Sequence, residues 1–204
     1  LKERTTSMLS ELRSLVDGQK GQWPTEVLQG LSREMETTSE LMASGRLEEA
    51  FGRVQALMED AKRKGTDIVL QRRIEAIRGL AAKGETIDLL TAERDQINRL
   101  VGQAEEIPGR GIEEGLNALD GIRERIEGIL AHAEARTEFQ QATSIMESLE
   151  GVELEGAGAE AAVAAKDALD LSQKAFLGED TESAVRFSKR AKYLAQLALY
   201  HHLA

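Results

Sequence analysis

Residues 41–61 read LMASGRLEEAFGRVQALMEDA. Ahead of the glycine, Leu28, Leu31, Met35, Thr38 and Leu41 with Met42 recur at steps of three and four. Behind it, Leu47, Ala50 with Phe51, Val54, Leu57 with Met58, and Ala61 do the same. That spacing gathers apolar side chains on one face of an α-helix. Gly45 supplies the left-handed residue on which a helix ends and the chain reverses. Two amphipathic helices joined this closely can bury their stripes against one another, so the stretch is expected to be a helical hairpin.

The same grammar extends in both directions. Upstream, Met8, Leu9, Leu12, Leu15 and Val16 define a first helix that breaks at Asp17-Gly18-Gln19-Lys20-Gly21. Trp23-Pro24-Thr25 then opens the second, with Thr25 or a neighbour as N-cap and Trp23 folding back on the stripe as a staple. Downstream, Thr66 or Asp67 is placed to cap a further helix carrying Val69, Leu70, Ile74, Ile77 and Ala81 before Gly84. Ile87, Leu90, Arg94, Ile97, Val101 and Ala104 follow at 3-4-3-4-3 spacing, a heptad interrupted only by Arg94. The periodicity leaves open whether residues 66–106 form one helix or two.

After Pro108-Gly109-Arg110-Gly111 the stripe Leu116, Leu119, Ile122, Ile126, Ile129 with Leu130, and Ala133 changes phase near Ala135. It resumes as Phe139, Ala142, Ile145 with Met146, and Leu149. One helix over about 112–150 would be roughly 55 Å long at 1.5 Å per residue, and the phase slip says that its neighbour changes. Residues 151–158, GVELEGAG, read as a hinge loop. The last hairpin has Ala162, Ala165, Leu169, Ser172 and Phe176 before Gly178, a capped start at Asp180 and Ser183, and Ala184, Phe187, Ala191, Leu194 and Ala198 beyond, with Leu197, Leu199 and Tyr200 widening the apolar arc. The expected fold is all-α: an elongated antiparallel helical bundle or array of coiled-coil hairpins with six or seven helices. Its parts are an N-terminal helix and mobile connection (1–22), a hairpin bundle (23–150), the hinge (151–158) and a C-terminal hairpin (159–204).

Composition agrees. Aromatic residues make up 3% of the 204, so Leu, Ile, Val and Ala must form the contacts, which suits thin helix-on-helix seams. The two prolines, Pro24 and Pro108, both sit at connections. Cysteine is absent, which excludes disulfides and thiolate metal sites and fits a reducing, cytoplasmic setting. The longest purely apolar run, Ala161 to Ala165, is far too short to span a bilayer. A start at Leu1 instead of Met suggests a piece of a longer protein.

The turn at Gly45, followed by Ala50, and that at Gly178, followed by Ala184, are similar to the middle of a tetratricopeptide hairpin, where an alanine lets the two helices approach closely. The likeness gives Ala50 and Ala184, with Ala191 one heptad on, that close-packing role. The distance from Gly to Ala differs by one residue between the two copies, no fixed period recurs and the terminal proline is missing, so no concave peptide groove is implied.

No reactive constellation stands out. His201 and His202 are adjacent, about 100° apart on a helix, and do not converge on one metal; His132 is in no recurring Glu-x-x-His pattern. Acid pairs such as Glu48-Glu49, Glu105-Glu106 and Glu113-Glu114 sit on polar faces or beside turns, several where a helix N-terminus favours negative charge. Gly109-Arg110-Gly111 lacks the strand and the Lys-Ser/Thr end of a phosphate loop. Catalytic residues, metal and cofactor are therefore all expected to be none.

Charge is unevenly spread within a net −10. Residues 62–83 hold seven bases and two acids, residues 105–182 nineteen acids and six bases, and residues 183–204 four bases and no acid. Pairing of basic to acidic helices in register accounts for this most simply. The expected function is that of a non-enzymatic scaffold or protein-interaction segment, binding a protein partner or a second copy (a homodimer) through Leu90, Ile97, Val101, Leu194, Leu197 and Tyr200. The alternative is charge-directed binding of nucleic acid or an anionic membrane through Lys62, Arg63, Lys64, Arg72 and Arg73 together with Arg186, Lys189 and Arg190. The scarcity of stacking aromatics and the acidic bulk of the chain weigh against it.

Overall fold

A computed structural model describes residues 1–108 and 111–203. Among them the protein is an all-α helical bundle, 86% helical, with seven α-helices and no strand. The order is α1 (Lys2–Gly18), α2 (Thr25–Ala43), α3 (Leu47–Ala82), a 3-10 turn (Lys83–Thr86), α4 (Thr91–Glu105), α5 (Ile112–Ser148), α6 (Gly156–Leu177) and α7 (Thr181–Leu203). Gly109 and Arg110 of the expected turn lie outside the described residues. The chain divides into two compact units: Leu1–Arg73 with Pro108–Leu116, and Ile74–Ile107 with Asn117–Ala204.

Several local expectations are corrected. Thr66 caps nothing: its Oγ1 donates to the Lys62 carbonyl at 3.1 Å, one turn back in the unbroken α3. Residues 66–106 are therefore the end of one helix and the whole of another. Ile87 to Leu90 lie between them outside any helix, so the expected heptad of 87–104 shrinks to Ile97, Leu100, Val101 and Ala104 on α4. Of the two positions left open for the N-cap of α2, Thr25 or a neighbour, it is the neighbour Pro24, and Thr25 is already helical. Residues 149–155 form the loop after α5, and α6 begins at Gly156, inside the expected hinge.

In the first unit Leu9, Leu12 and Val16 of α1, Leu31 and Met35 of α2, and Val54, Leu57, Met58 and Ala61 of α3 form one buried cluster. Arg53 of α3 reaches Glu34 of α2 with Nε at 3.1 Å and Nη2 at 2.5 Å from Oε2. Trp23 belongs to this cluster, and its ring also occupies the space that a Cβ on Gly65 of α3 would need.

In the second unit α5, α6 and α7 meet in three layers spaced by heptads: Ala135 with Ala175 and Ala184, Ala142 with Ala168 and Ala191, Leu149 with Ala161 and Ala198. The numbers rise on α5 and α7 and fall on α6, so α6 runs antiparallel to both. Nearly every residue at the seam is small, which lets the helices approach closely. Ser172 and Ser188, both buried, satisfy one another across the α6–α7 seam at 2.7 Å. Phe176 extends the packing with edge-on contacts to His132 and Phe139 of α5. The buried stripe of α5 runs Leu119, Ile122, Ile126, Leu130 and Ala133 and then shifts to Ala135, Ala142 and Leu149. The phase slip in the sequence is thus the point where α5 turns its packing toward α6 and α7.

The two hairpin turns share one hydrogen-bond pattern. After α2 the Gly45 N–H donates to the Met42 carbonyl and the Arg46 N–H to that of Leu41; after α6 the Glu179 N–H donates to Phe176 and the Asp180 N–H to Ala175. The left-handed position is Gly45 (φ 77°) in the first turn and Glu179 (φ 57°), not Gly178, in the second. From that position to the buried alanine, Ala50 or Ala184, is the same distance in both. The one-residue mismatch in the sequence is thus a glycine lying one place early. Glu179→Gly should raise stability by about 1 kcal/mol, since a side chain in the left-handed region costs about that much. An unchanged or lower urea midpoint for this variant would show that Glu179 is not strained.

Candidate functional site

In the second unit a groove opens where α3 ends. Gly84 permits the 3-10 turn there: a Cβ on it would stand 2.8 Å from Leu89 Cδ1 and 3.3 Å from Leu130 Cδ2. The chain then passes through Ile87 to Leu90 and returns as α4 alongside the end of α3, leaving an open trough of about 560 Å³. Ala81, Ala82, Leu89, Ile97 and Val101 supply its apolar lining; Arg78, Glu85, Arg94 and Asn98 supply its polar groups. Arg78 is held by Glu105, with Nε at 3.0 Å and Nη2 at 2.6 Å from Oε1, so the cation is fixed beside the groove.

α4 is fixed at its start by a bidentate clamp that no sequence pattern reveals. Glu93 Oε2 accepts the Leu90 N–H at 2.8 Å, and the same carboxylate receives Arg136 of α5 at 2.5 and 2.9 Å. Arg136 also donates to the Asp88 carbonyl at 2.8 Å. The two side chains are only 20% and 16% exposed. The Arg136 hydrogen bonds hold the Glu93 carboxyl below its ordinary pKa against the opposing effect of burial, with the Leu90 N–H adding to them. The same hydrogen bonds raise the guanidinium of Arg136. The folded state thus binds the Glu93 proton more weakly than the unfolded chain does. Its stabilising contribution is complete above the unfolded carboxyl value of about 4.3 and disappears as pH falls through the lower folded value. Glu93→Gln, which keeps an acceptor for the Leu90 N–H, should cost stability at pH 7, and its deficit should shrink toward zero below pH 4. Parallel urea titrations of the two proteins, in which all other carboxylates cancel, check this.

No protein-family model matches this chain, and comparison with curated proteins and with solved structures finds no match. Its surfaces are therefore read from their own geometry.

The six residues expected to meet a partner fall in two places. Leu90 is exposed at the N-cap of α4, Val101 is half-buried, and Ile97, 3% exposed, is a core residue that also lines the groove. Leu194, Leu197 and Tyr200 are on α7, the first two half-buried and Tyr200 exposed. Of the basic residues, Lys62, Arg63, Lys64, Arg72 and Arg73 are spread around α3 at 100° per residue and form no single stripe. Arg63 and Lys64 both pair with Asp60 on their own helix. Arg186 stacks over Phe187 at 4.8 Å, Lys189 and its neighbour Lys192 reach Glu134 and Glu138 of α5, and Arg190 is exposed. The last two pairs join a basic helix to an acidic one in register. Among the described residues no three His, Asp or Glu side chains gather as a metal would require, and no helix is long and apolar enough to cross a membrane.

Proposed function

We propose that this chain is a non-enzymatic helical scaffold that recognises another protein through the groove between the end of α3 and α4. The observation that carries the reading is an open trough of mixed lining, apolar at Ala81, Ala82, Leu89, Ile97 and Val101 and polar at Glu85, Arg94 and Asn98, beside the Arg78–Glu105 ion pair. Grooves of this kind take one face of an amphipathic helix or an inserted apolar side chain, with the flanking charge choosing the partner. With Arg78 paired to Glu105, Arg94 and Glu85 are the remaining charges at this groove, so its apolar lining and not a net charge supports the reading. A cytoplasmic setting is part of the proposal and rests on the absence of cysteine.

Ile97→Ala is a poor test, because emptying a core position costs about 2–5 kcal/mol whatever binds outside. Val101, half-buried on the groove wall, is the better handle. A photo-crosslinking residue at Val101, in cells that make the protein, should give an adduct of defined mass that the same residue at exposed Gln103 does not. An adduct of twice the chain mass identifies a second copy; adducts from neither position, or from both alike, remove the groove as the binding surface.

A further inference from the structure

Given the groove between α3 and α4 as the binding surface, a reading on which this rests, we infer that residues 87–90 are a strap that latches it, and that an apolar side chain of the partner protein takes the seat now filled by Leu89. Between Gly84 and Ile97 the only buried side chain is that of Leu89. Its Cδ1 atom stands 2.8 Å from where a Cβ on Gly84 would be, and Leu130 Cδ2 and Ile97 Cδ1 border the same space at 3.3 and 3.8 Å. Leu89 is also part of the groove lining, so the chain fills an apolar seat at the groove with a residue of its own. The other apolar residues of the strap hold it less firmly: Ile87 is half-buried and Leu90 is 56% exposed.

The polar tie between the strap and α5 is made by one side chain. Arg136 donates to the Asp88 carbonyl at 2.8 Å and to the Glu93 carboxylate at 2.5 and 2.9 Å. The strap's own hydrogen bonds are local, from the Ile87 N–H to the Gly84 carbonyl, from the Leu89 N–H to that of Ile87, and from the Leu90 N–H to Glu93. Leu90 stands at the N-cap of α4, where Ser, Thr, Asp or Asn would accept a bond from the first turn and leucine has no atom to do so. Releasing one ion pair and one apolar contact therefore frees the strap and the start of α4, while the alanine seam of α6 and α7 contains none of these groups. A partner that needs the strap open binds in proportion to the fraction of molecules in which it is open, so weakening the latch strengthens binding.

Amide hydrogen exchange of the intact chain, followed by NMR, reads the strap with no partner present. The Leu90 and Arg94 amides should exchange well before those of Ser188 and Ala191 in α7. In Arg136→Met they should exchange roughly tenfold to a hundredfold faster, the factor that loss of a charge-assisted hydrogen-bonded pair carries, with α7 unchanged. Gly84→Ala is the second variant: the backbone there is not left-handed, so alanine is tolerated, and its Cβ contests the seat of Leu89 and also speeds exchange. Circular dichroism checks that both fold. The two variants part at binding. With the photo-crosslinking residue at Val101, Arg136→Met should raise the adduct yield in cells, whereas Gly84→Ala, whose methyl narrows the vacated seat, should not. Leu90 and Arg94 amides that exchange no faster than α7, or that Arg136→Met leaves unaltered, overturn the latch. So does an adduct yield that Arg136→Met leaves unchanged or lowers, or that Gly84→Ala raises as much. Failure of the exchange result with the Val101 adduct intact removes the latch alone; exchange as expected with no adduct in any background removes the groove, and with it the partner's claim on the seat.

Discussion

Ala191→Leu should destabilise the protein by about 2–3 kcal/mol, although leucine is nearly as good a helix former as alanine and far more hydrophobic. Ala191 is fully buried in α7 and meets Ala142 of α5 and Ala168 of α6 in one layer. The three buried residues of that layer are alanines, which have no rotamer to change, and the one larger side chain packed against them, Leu169, is half-buried. The added isobutyl group is therefore accommodated chiefly by separating helices, which strips contact from the layers above and below, Ala135–Ala175–Ala184 and Leu149–Ala161–Ala198. It also pulls on the Ser172–Ser188 hydrogen bond, whose hydroxyls are buried and have no water to turn to. The same change at Gln196, exposed on α7, is the control and should move stability by less than about 0.5 kcal/mol. Thermal and urea unfolding followed by circular dichroism check the pair. Equal stability of Ala191→Leu and the parent would mean that the seam is loose and that the alanine layers do not set the helix spacing.

That seam also shows where the sequence is legible and where it stops being so. Stripes of Leu, Ile and Val on α2, the first half of α3 and α5 announce themselves, because large apolar side chains at three-four spacing are stable in water only if a helix buries them on one face. The seam on α6 departs from its expected line. The periodicity points to Ala162, Leu169 and Phe176 beside Ala165 and Ser172, whereas the buried line is Gly158, Ala161, Ala165, Ala168, Ser172 and Ala175. In a close seam the smallest residues lie at the centre and larger ones flank it, so weighting by hydrophobicity displaces the stripe by one residue. The exchange of Ile87 and Leu90 for Leu89 on the buried side has a different cause. A stretch leaving a helix at Gly84 stops obeying the helical period, and nothing local marks where the period resumes. The Arg136–Glu93 clamp joins residues 43 apart, a pairing that no local pattern encodes. The groove itself arises from the same departure, so the residues that line it are legible one by one and their convergence is not.

Gly65→Ala should destabilise the parent protein but stabilise one in which Trp23 has been cut back to alanine. Glycine inside a helix costs about 1 kcal/mol relative to alanine, so on local grounds the substitution in α3 is favourable. The structure opposes it, because a Cβ on Gly65 would stand 2.7 Å from the Cζ2 atom of the Trp23 ring. That atom is part of a rigid bicycle in a buried cluster with Leu9, Leu31 and Met35, so it cannot retreat as a flexible chain end would. Overpacking of this kind costs about 1–3 kcal/mol, enough to outweigh the gain in propensity. Trp23→Ala alone should cost about 3–5 kcal/mol, the largest single loss expected in the first unit, and it clears the space above Gly65. In that background the methyl meets no ring, and Gly65→Ala should restore about 0.5–1 kcal/mol. The sign reversal is a coupling energy between Trp23 and Gly65, and it separates close packing from any effect confined to α3. Gly52→Ala, in the same helix with nothing within 4 Å of its Cβ position, should stabilise both backgrounds alike. The urea midpoints of the double-mutant cycle, read by circular dichroism since the fluorophore is itself removed, decide the matter. If Gly65→Ala has the same effect with and without the indole, Trp23 does not rest on α3, and the turn at residues 19–24 is held in some other way.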